Sequence, residues 1–173
     1  MQTQSFEIPT ERFLLRPLTV LDVTERYLSW LREPGARQYI TAASQTRELD
    51  DLKHYVASRC GRDDILFLGI FEMQGGLHIG NIKYEPVSRE TGHAVMGIMI
   101  GDPEYRGRHV AGEVIDASVA WLAAHRGIRE IVLGVSESNT AAIRAYEKVG
   151  FAIASTPHLP PALQGALTMV RHL

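Results

Sequence analysis

Cysteine is nearly absent: Cys60 stands alone in 173 residues. One thiol excludes an intrachain disulfide, which fits a reducing compartment and predicts a cytoplasmic protein. Long apolar runs are missing too, and none approaches the ~20 residues needed to span a bilayer. The first residues, "MQTQSFEIPTERF", lack the charged-then-apolar pattern of a secretory signal. There is no excess of either charge. Eighteen basic residues face twenty acidic ones, a net charge of −2, which gives no overall pull toward nucleic acid or an anionic membrane. Seven histidines are scattered without ligand spacing, so no catalytic metal is expected. Repeats, low-complexity segments and linkers are also missing, and residues 1–173 read as a single domain.

What is present is an ordinary globular composition, 45% hydrophobic and 22% charged. "RFLLRPL", 12–18, reads as a strand closed by Pro17. Thr19 with Asp22 resembles a capping box, predicting a helix from about Val20 to Leu31 that "EPG" stops. Residues 46–60 place Leu49, Leu52, Val56 and Cys60 on one helical face. "ILFLGIFE" and "LHIGNIKYEP" around "MQGG" read as an antiparallel hairpin, and "HAVMGIMIG" follows as a third strand. A long apolar helix from about Ala111 to Arg126 leads to a buried strand, "EIVLGV". Asn139 or Ser138 caps a further helix ending at Gly150, and "FAIAST" and "ALTMVRHL" finish as strands. The order predicts a mixed α/β sheet.

The segment "PEYRGRHVAGEV", 103–114, stands out in so neutral a chain. A helix N-terminus presents unpaired amides and the positive end of the macrodipole, a ready site for phosphate. Gly107 permits close approach of a ligand to the backbone, and Ala111 keeps the first turn uncrowded. Arg106 and Arg108 can add charge-assisted hydrogen bonds. The same residues also read as a solvated basic loop before a core helix, and both readings stand on this stretch alone. It is not a P-loop, because the Gly-Lys-Ser/Thr ending is missing. In "VSESNTAAIRAYEKVGF", 135–151, Asn139 taken singly is a cap and Tyr146 a packing residue. Their combination with the preceding turn, helix and strand is what carries information.

Taken together, these segments resemble the GNAT superfamily of acetyl-CoA-dependent N-acetyltransferases, over nearly the whole chain. Within it the sequence is most similar to the branch of ribosomal-protein N-terminal and nucleotide-aminosugar acetyltransferases. "YLSWLREP", "HIGNIKYEP", "MGIMIGDPEYRGRHVAGEV" and "SNTAAIRAYEKVGF" carry the likeness. The resemblance implies a mostly antiparallel central sheet, splayed at the cofactor site and flanked by helices. It implies that amides of Arg106, Gly107, Arg108, His109, Val110, Ala111 and Gly112 bind the pyrophosphate of acetyl-CoA. Met99 and Ile100 would pair by backbone with the pantetheine arm, Asn139 would bond near the acyl group, and Tyr146 would protonate the leaving thiolate. Two departures follow. His109 stands where the family has glycine, which is tolerable at negative φ and strained at positive φ. Val95 stands where some relatives carry a glutamate base.

Acyl transfer to an amine needs an unprotonated nucleophile, a stabilised oxyanion and a proton for the thiolate. Backbone N–H near Met99 or Ile100 meets the second need and the phenol of Tyr146 the third. For the first, His93 shares a strand face with Val95, and its ordinary pKa of about 6.5 suits a base. Glu85, Glu137 and a water route stay open beside it, and His93 also reads plainly as a strand-end histidine. His78 and Trp30 read as packing or surface residues. The resemblance implies a primary-amine acceptor, first a small molecule such as a nucleotide-linked aminosugar, and alternatively a protein N-terminus. A CoA-binding module without turnover is the third reading, motivated by His109 and Val95. Segments 20–45 and 156–166 would frame the acceptor, in a monomer or homodimer.

Overall fold

The computed structural model describes residues 6–35 and 48–173. Twelve elements position the site. They are β1 (Ile8–Pro9), β2 (Phe13–Pro17), α1 (Glu25–Arg32), α2 (Leu49–Ala57), β3 (Leu66–Glu72) and β4 (His78–Ser88). After these come β5 (His93–Ile100), α3 (Val110–Arg126), β6 (Glu130–Ser136), α4 (Thr140–Lys148), β7 (Ala152–Ile153) and β8 (Ala166–His172).

The strands form one sheet in the order β1-β2-β3-β4-β5-β6-β8-β7. Every pairing is antiparallel except β5 with β6. That parallel pair is in register only at His93–Glu130, Ala94–Ile131 and Val95–Val132. Beyond those residues the two strands separate, which is the splay the resemblance implied.

Period-two alternation divides the sheet between two cores. On one face α3 lays Val114, Ile115, Val119 and Leu122 against Leu15, Leu68, Ile82, Ala94 and Ile131. The broad apolar surface of α3 fits this burial, and its Ser118 is satisfied there by the Tyr84 hydroxyl at 2.8 Å. On the other face α1 and α2 bring Tyr27, Leu28, Trp30, Leu52 and Val56 onto Leu18 and Phe71.

Local chemistry moved several boundaries. The helix expected from Val20 to Leu31 is two pieces. Thr19 and Asp22 do form a capping box, but over a single 3-10 turn, Val20–Asp22. Val23 then turns extended with its side chain buried, and Thr24 caps α1 afresh by accepting from the Tyr27 amide. Cys60 lies beyond the end of α2, exposed, its thiol donating to the Leu18 carbonyl at 3.2 Å. It therefore does not share the helical face of Leu52 and Val56. "FAIAST" pairs as strand only at Ala152–Ile153, because Thr156 leaves the edge to donate to Glu130. Strand β1 escapes sequence patterning, since two residues including Pro9 carry no alternation. The helix ending at Gly150 is α4, and that glycine takes the positive φ (+87°) its position requires. Of the expected acceptor segment 20–45, residues 36–45 lie outside the described residues.

Candidate active site

The segment between β5 and α3 folds so that its amides converge. Asp102 caps a short 3-10 turn, Pro103–Tyr105, and the chain then reaches α3 through two left-handed residues, Gly107 at φ +72° and His109 at φ +58°. Alternating left-handed positions turn successive N–H groups to one side, forming an anion-binding concavity. Among the described residues no acceptor bonds the amides from Gly107 to Gly112, and the first bond into the helix runs from Glu113 N to His109 O at 3.4 Å. His109 is thus the strained case: its backbone is left-handed, its side chain is exposed, and it makes no capping bond.

The two arginines divide. Arg106 turns back, donating from Nε to the Ile100 carbonyl (2.9 Å) and from Nη2 to the Gly101 carbonyl (2.8 Å) and Glu33 (3.0 Å). It therefore pins the end of β5 and the cradle's entry. Arg108 is exposed and forms no ion pair among the described residues.

The concavity opens into a cleft of about 640 Å³ between β5, α3 and α4. The cleft brings together Ile100, Arg106, Gly107, His109, Val110, Ala111, Gly112, Asn139 and Tyr146, all expected from sequence. Asn139 caps α4, its Oδ1 accepting from the Ala142 amide at 3.3 Å, and still faces the cleft. Tyr146, two turns on, is half-buried with its ring 5.9 Å from that of Phe151. Burial pushes its phenol above the usual tyrosine range, so it is fully protonated at neutral pH. No side chain among the described residues bonds its hydroxyl. The first turn of α3 approaches the last turn of α4 closely: a Cβ on Gly112 would lie 3.4 Å from Val149 Cγ1.

Residues 12–152 match the family described as the acetyltransferase (GNAT) domain. The chain belongs to this family. Mycothiol acetyltransferase of Salinispora arenicola is 36% identical over 78 residues, which is 44% of this chain and 24% of that protein. The chain therefore matches about a quarter of that relative's length. Among solved structures, RimL, a ribosomal L7/L12 alpha-N-protein acetyltransferase in complex with coenzyme A, superposes with a TM-score of 0.82 at 15% identity. That superposition covers 97% of this chain and 98% of the other. The microcin C7 self-immunity acetyltransferase MccE, in complex with acetyl-CoA and AMP, reaches 0.78 at 11% identity over 94% and 93%. These likenesses show the GNAT fold.

The remaining candidates divide in this GNAT domain, Met99 having been expected to act through its backbone alone. Met99 alternates with Ile98 and Ile100, so its side chain packs on the α1 face while theirs line the cleft. His93 begins β5, seven residues and about 23 Å of extended strand from Ile100. Its ring stacks on His158 at 3.8 Å, and its Nδ1 lies 2.5 Å from the Thr91 hydroxyl. Burial and then the neighbouring His158 hold its pKa below the ordinary histidine value. The structure thus does not bring His93 to the cleft. Glu85 is tied to Lys83 (2.8 Å) and Arg59 (3.0 Å). Burial works against its charge, but those partners outweigh it and lower its pKa, leaving a paired carboxylate rather than a base. Glu137 follows β6 directly and is exposed, at the same end of the sheet as Ile100. His78 and Trp30 pack against one another, rings 5.0 Å apart.

Sequence reading overlooked Arg144, Lys148 and Tyr105, which line the cleft. For Arg144 and Lys148 a signal existed: two like charges at i,i+4 on one helix face repel unless something anionic lies beside them. Among the described residues no group of histidine, cysteine or carboxylate side chains could hold a metal, and no helix is long and apolar enough to cross a membrane.

Proposed function

We propose that this GNAT domain transfers an acetyl group from acetyl-CoA to a primary amine by direct attack. The supporting observation is one cleft that joins unpartnered amides at residues 107–112 to Tyr146 at its other wall. The concavity fits a pyrophosphate by donor count, by the positive end of α3, and by the open space around Gly107. Splaying of β5 from β6 frees backbone groups near Met99 and Ile100 for the pantetheine arm. One of them would donate to the acetyl oxygen as negative charge develops there.

Tyr146 donates its proton toward the departing sulfur. Burial holds the phenol above the usual tyrosine range and so above an ordinary thiol, and its work is a strong hydrogen bond to the sulfur at the moment of cleavage rather than full proton transfer. The acceptor amine loses its proton through water to bulk, with Glu137 the carboxylate at the same sheet end. Neither His93 nor Glu85 takes part in this scheme.

The acceptor is a small amine, such as a nucleotide-linked aminosugar. Sequence relatives named for mycothiol and the AMP in the MccE complex support a small acceptor over a protein N-terminus. A panel of nucleotide-aminosugars and N-terminal peptides, assayed for free CoA, tests this. Release with an aminosugar supports the reading, and release with peptides alone moves the acceptor to protein N-termini. CoA binding without release on any acceptor would leave a binding module.

A further inference from the structure

The loop between β7 and β8, residues 154–165, reads "ASTPHLPPALQG" and contains one ionisable side chain, His158. Its members are exposed except for Thr156, His158 and Leu159, which are half-buried. The loop's ends are tied by backbone bonds, Ala154 N to Thr168 O at 3.1 Å and Glu137 N to Gly165 O at 2.9 Å. Between them, among the described residues, two side chains make its polar and ring contacts to the sheet. Thr156 donates to Glu130 at 3.0 Å, and the His158 ring lies on the His93 ring with centroids 3.8 Å apart and planes 10° from parallel. With β8 the loop walls a cavity of about 840 Å³, lined among others by Thr156, His158, Pro160 and Thr168. A titratable pair in ring contact is thus the central attachment of a loop that has no other charge of its own.

We propose that the His93–His158 stack is an acid-sensitive latch, which holds loop 154–165 on the sheet at neutral pH and releases it when both rings carry a proton. The surrounding charges accommodate one proton but not two. Glu130 of β6 lies 3.9 Å from His158 Nε2 and 3.5 Å from Nδ1 of the exposed His172 on β8. It can offset a cation on His158. On the other side the turn before β5 presents the Thr91 hydroxyl to His93 Nδ1 at 2.5 Å, and the Arg129 guanidinium lies over Gly92 of that turn. A second proton, on buried His93, therefore faces a cation at ring contact and finds no carboxylate of its own. Burial first, and His158 next, hold the His93 pKa below the ordinary histidine value. Above about 6.5 His93 is neutral whether the loop is latched or free, and the latch is intact. As pH falls from there toward the lower latched value, release takes up a proton and the latch loses stability, by at most roughly tenfold per pH unit for one linked proton.

Amide hydrogen exchange from pH 7.5 to pH 5.0, corrected for the intrinsic pH dependence of exchange, reads the latch with no ligand or acceptor present. The reporting amides are Ala154, His158 and Ala166, each hydrogen-bonded in the latched loop. In the wild type their protection is expected to fall severalfold across this range while α3 and β4 stay protected. His158→Phe keeps a flat ring on His93 but cannot take a proton, and its loop protection is expected to stay level with pH. His93→Gln keeps a hydrogen-bonding partner for Thr91 and removes the other titrating ring, so its profile should also be level, from a lower starting value. Wild-type protection that does not change with pH would overturn the latch. So would a fall that persists undiminished in either variant, or one that α3 and β4 share, since that is global acid unfolding. A variant whose α3 and β4 amides exchange freely at pH 7.5 has lost the fold, and the other variant then decides.

Discussion

His109→Gly isolates the strain at the entrance to α3. His109 sits at φ +58°, ψ +22°, with no capping bond from its side chain. A Cβ in the left-handed region costs roughly 1–2 kcal/mol, and histidine, one of the better tolerated residues there, belongs at the lower end. Glycine removes that cost but loosens the unfolded chain, which returns about 0.4–1 kcal/mol. The balance is a gain of up to about 0.6 kcal/mol, or an increase of about one or two degrees in Tm for a chain of this size. His109→Ala keeps the Cβ and should show no gain. Because the imidazole is exposed and the amides supply the binding, CoA affinity should be unchanged or slightly higher in the glycine variant. Thermal melts and CoA titrations of the three proteins provide the check. A glycine variant that melts well below the wild type would refute the strain argument. A several-fold loss of CoA affinity would show that the imidazole itself binds phosphate.

Tyr146→Phe should lower kcat by about 10²–10⁴-fold with acetyl-CoA affinity nearly unchanged, and a near-normal kcat would leave the tyrosine a packing residue. Acetyl-CoA at a hundredfold excess over Kd should stabilise the fold by about 2.7 kcal/mol, read as a rise in Tm that adenosine does not reproduce. Arg106→Gln removes the bonds to the Ile100 and Gly101 carbonyls. It should raise KM for acetyl-CoA and lower Tm together, whereas a purely phosphate-facing arginine would leave apo Tm alone. Glu113 accepts from the Thr10 hydroxyl (2.6 Å), the Arg12 amide (2.8 Å) and Arg12 Nε (2.7 Å). Burial opposes its charge, yet these donors outweigh it and hold its pKa below 4.5. Its contribution is therefore present above the unfolded value and lost as pH falls through the lower folded one. Urea midpoints from pH 6 to pH 3 should fall more steeply for the wild type than for Glu113→Gln, and parallel curves would dismiss the assignment.

Local signals in the chain were sufficient for much of this. The 3.6-residue apolar pattern of α3, the alternation of β3 to β5, Gly150 as a helix stop and the Asn139 cap all depend on neighbours in sequence. The turn at 107–112 was legible for the same reason, since a glycine-containing turn opening a helix builds its own amide geometry, though the Arg106 amide expected with it is bonded to the Pro103 carbonyl. Other features depend on residues distant in sequence, and only tertiary structure decided them. The left-handed backbone of His109 is set by how β5 must turn into α3, and no property of histidine announces it. Arg106 reads as a phosphate ligand until Glu33 and the Ile100 carbonyl are brought beside it. His93 reads as a base until β5 places it at the far end of the sheet, stacked on His158 from a loop sixty-five positions later. Arg144 and Lys148 become part of the cleft only when Val149 closes on Gly112. Charge and hydrogen-bonding capacity are written in the residue, but what they act on is fixed by which surfaces the packed sheet brings together.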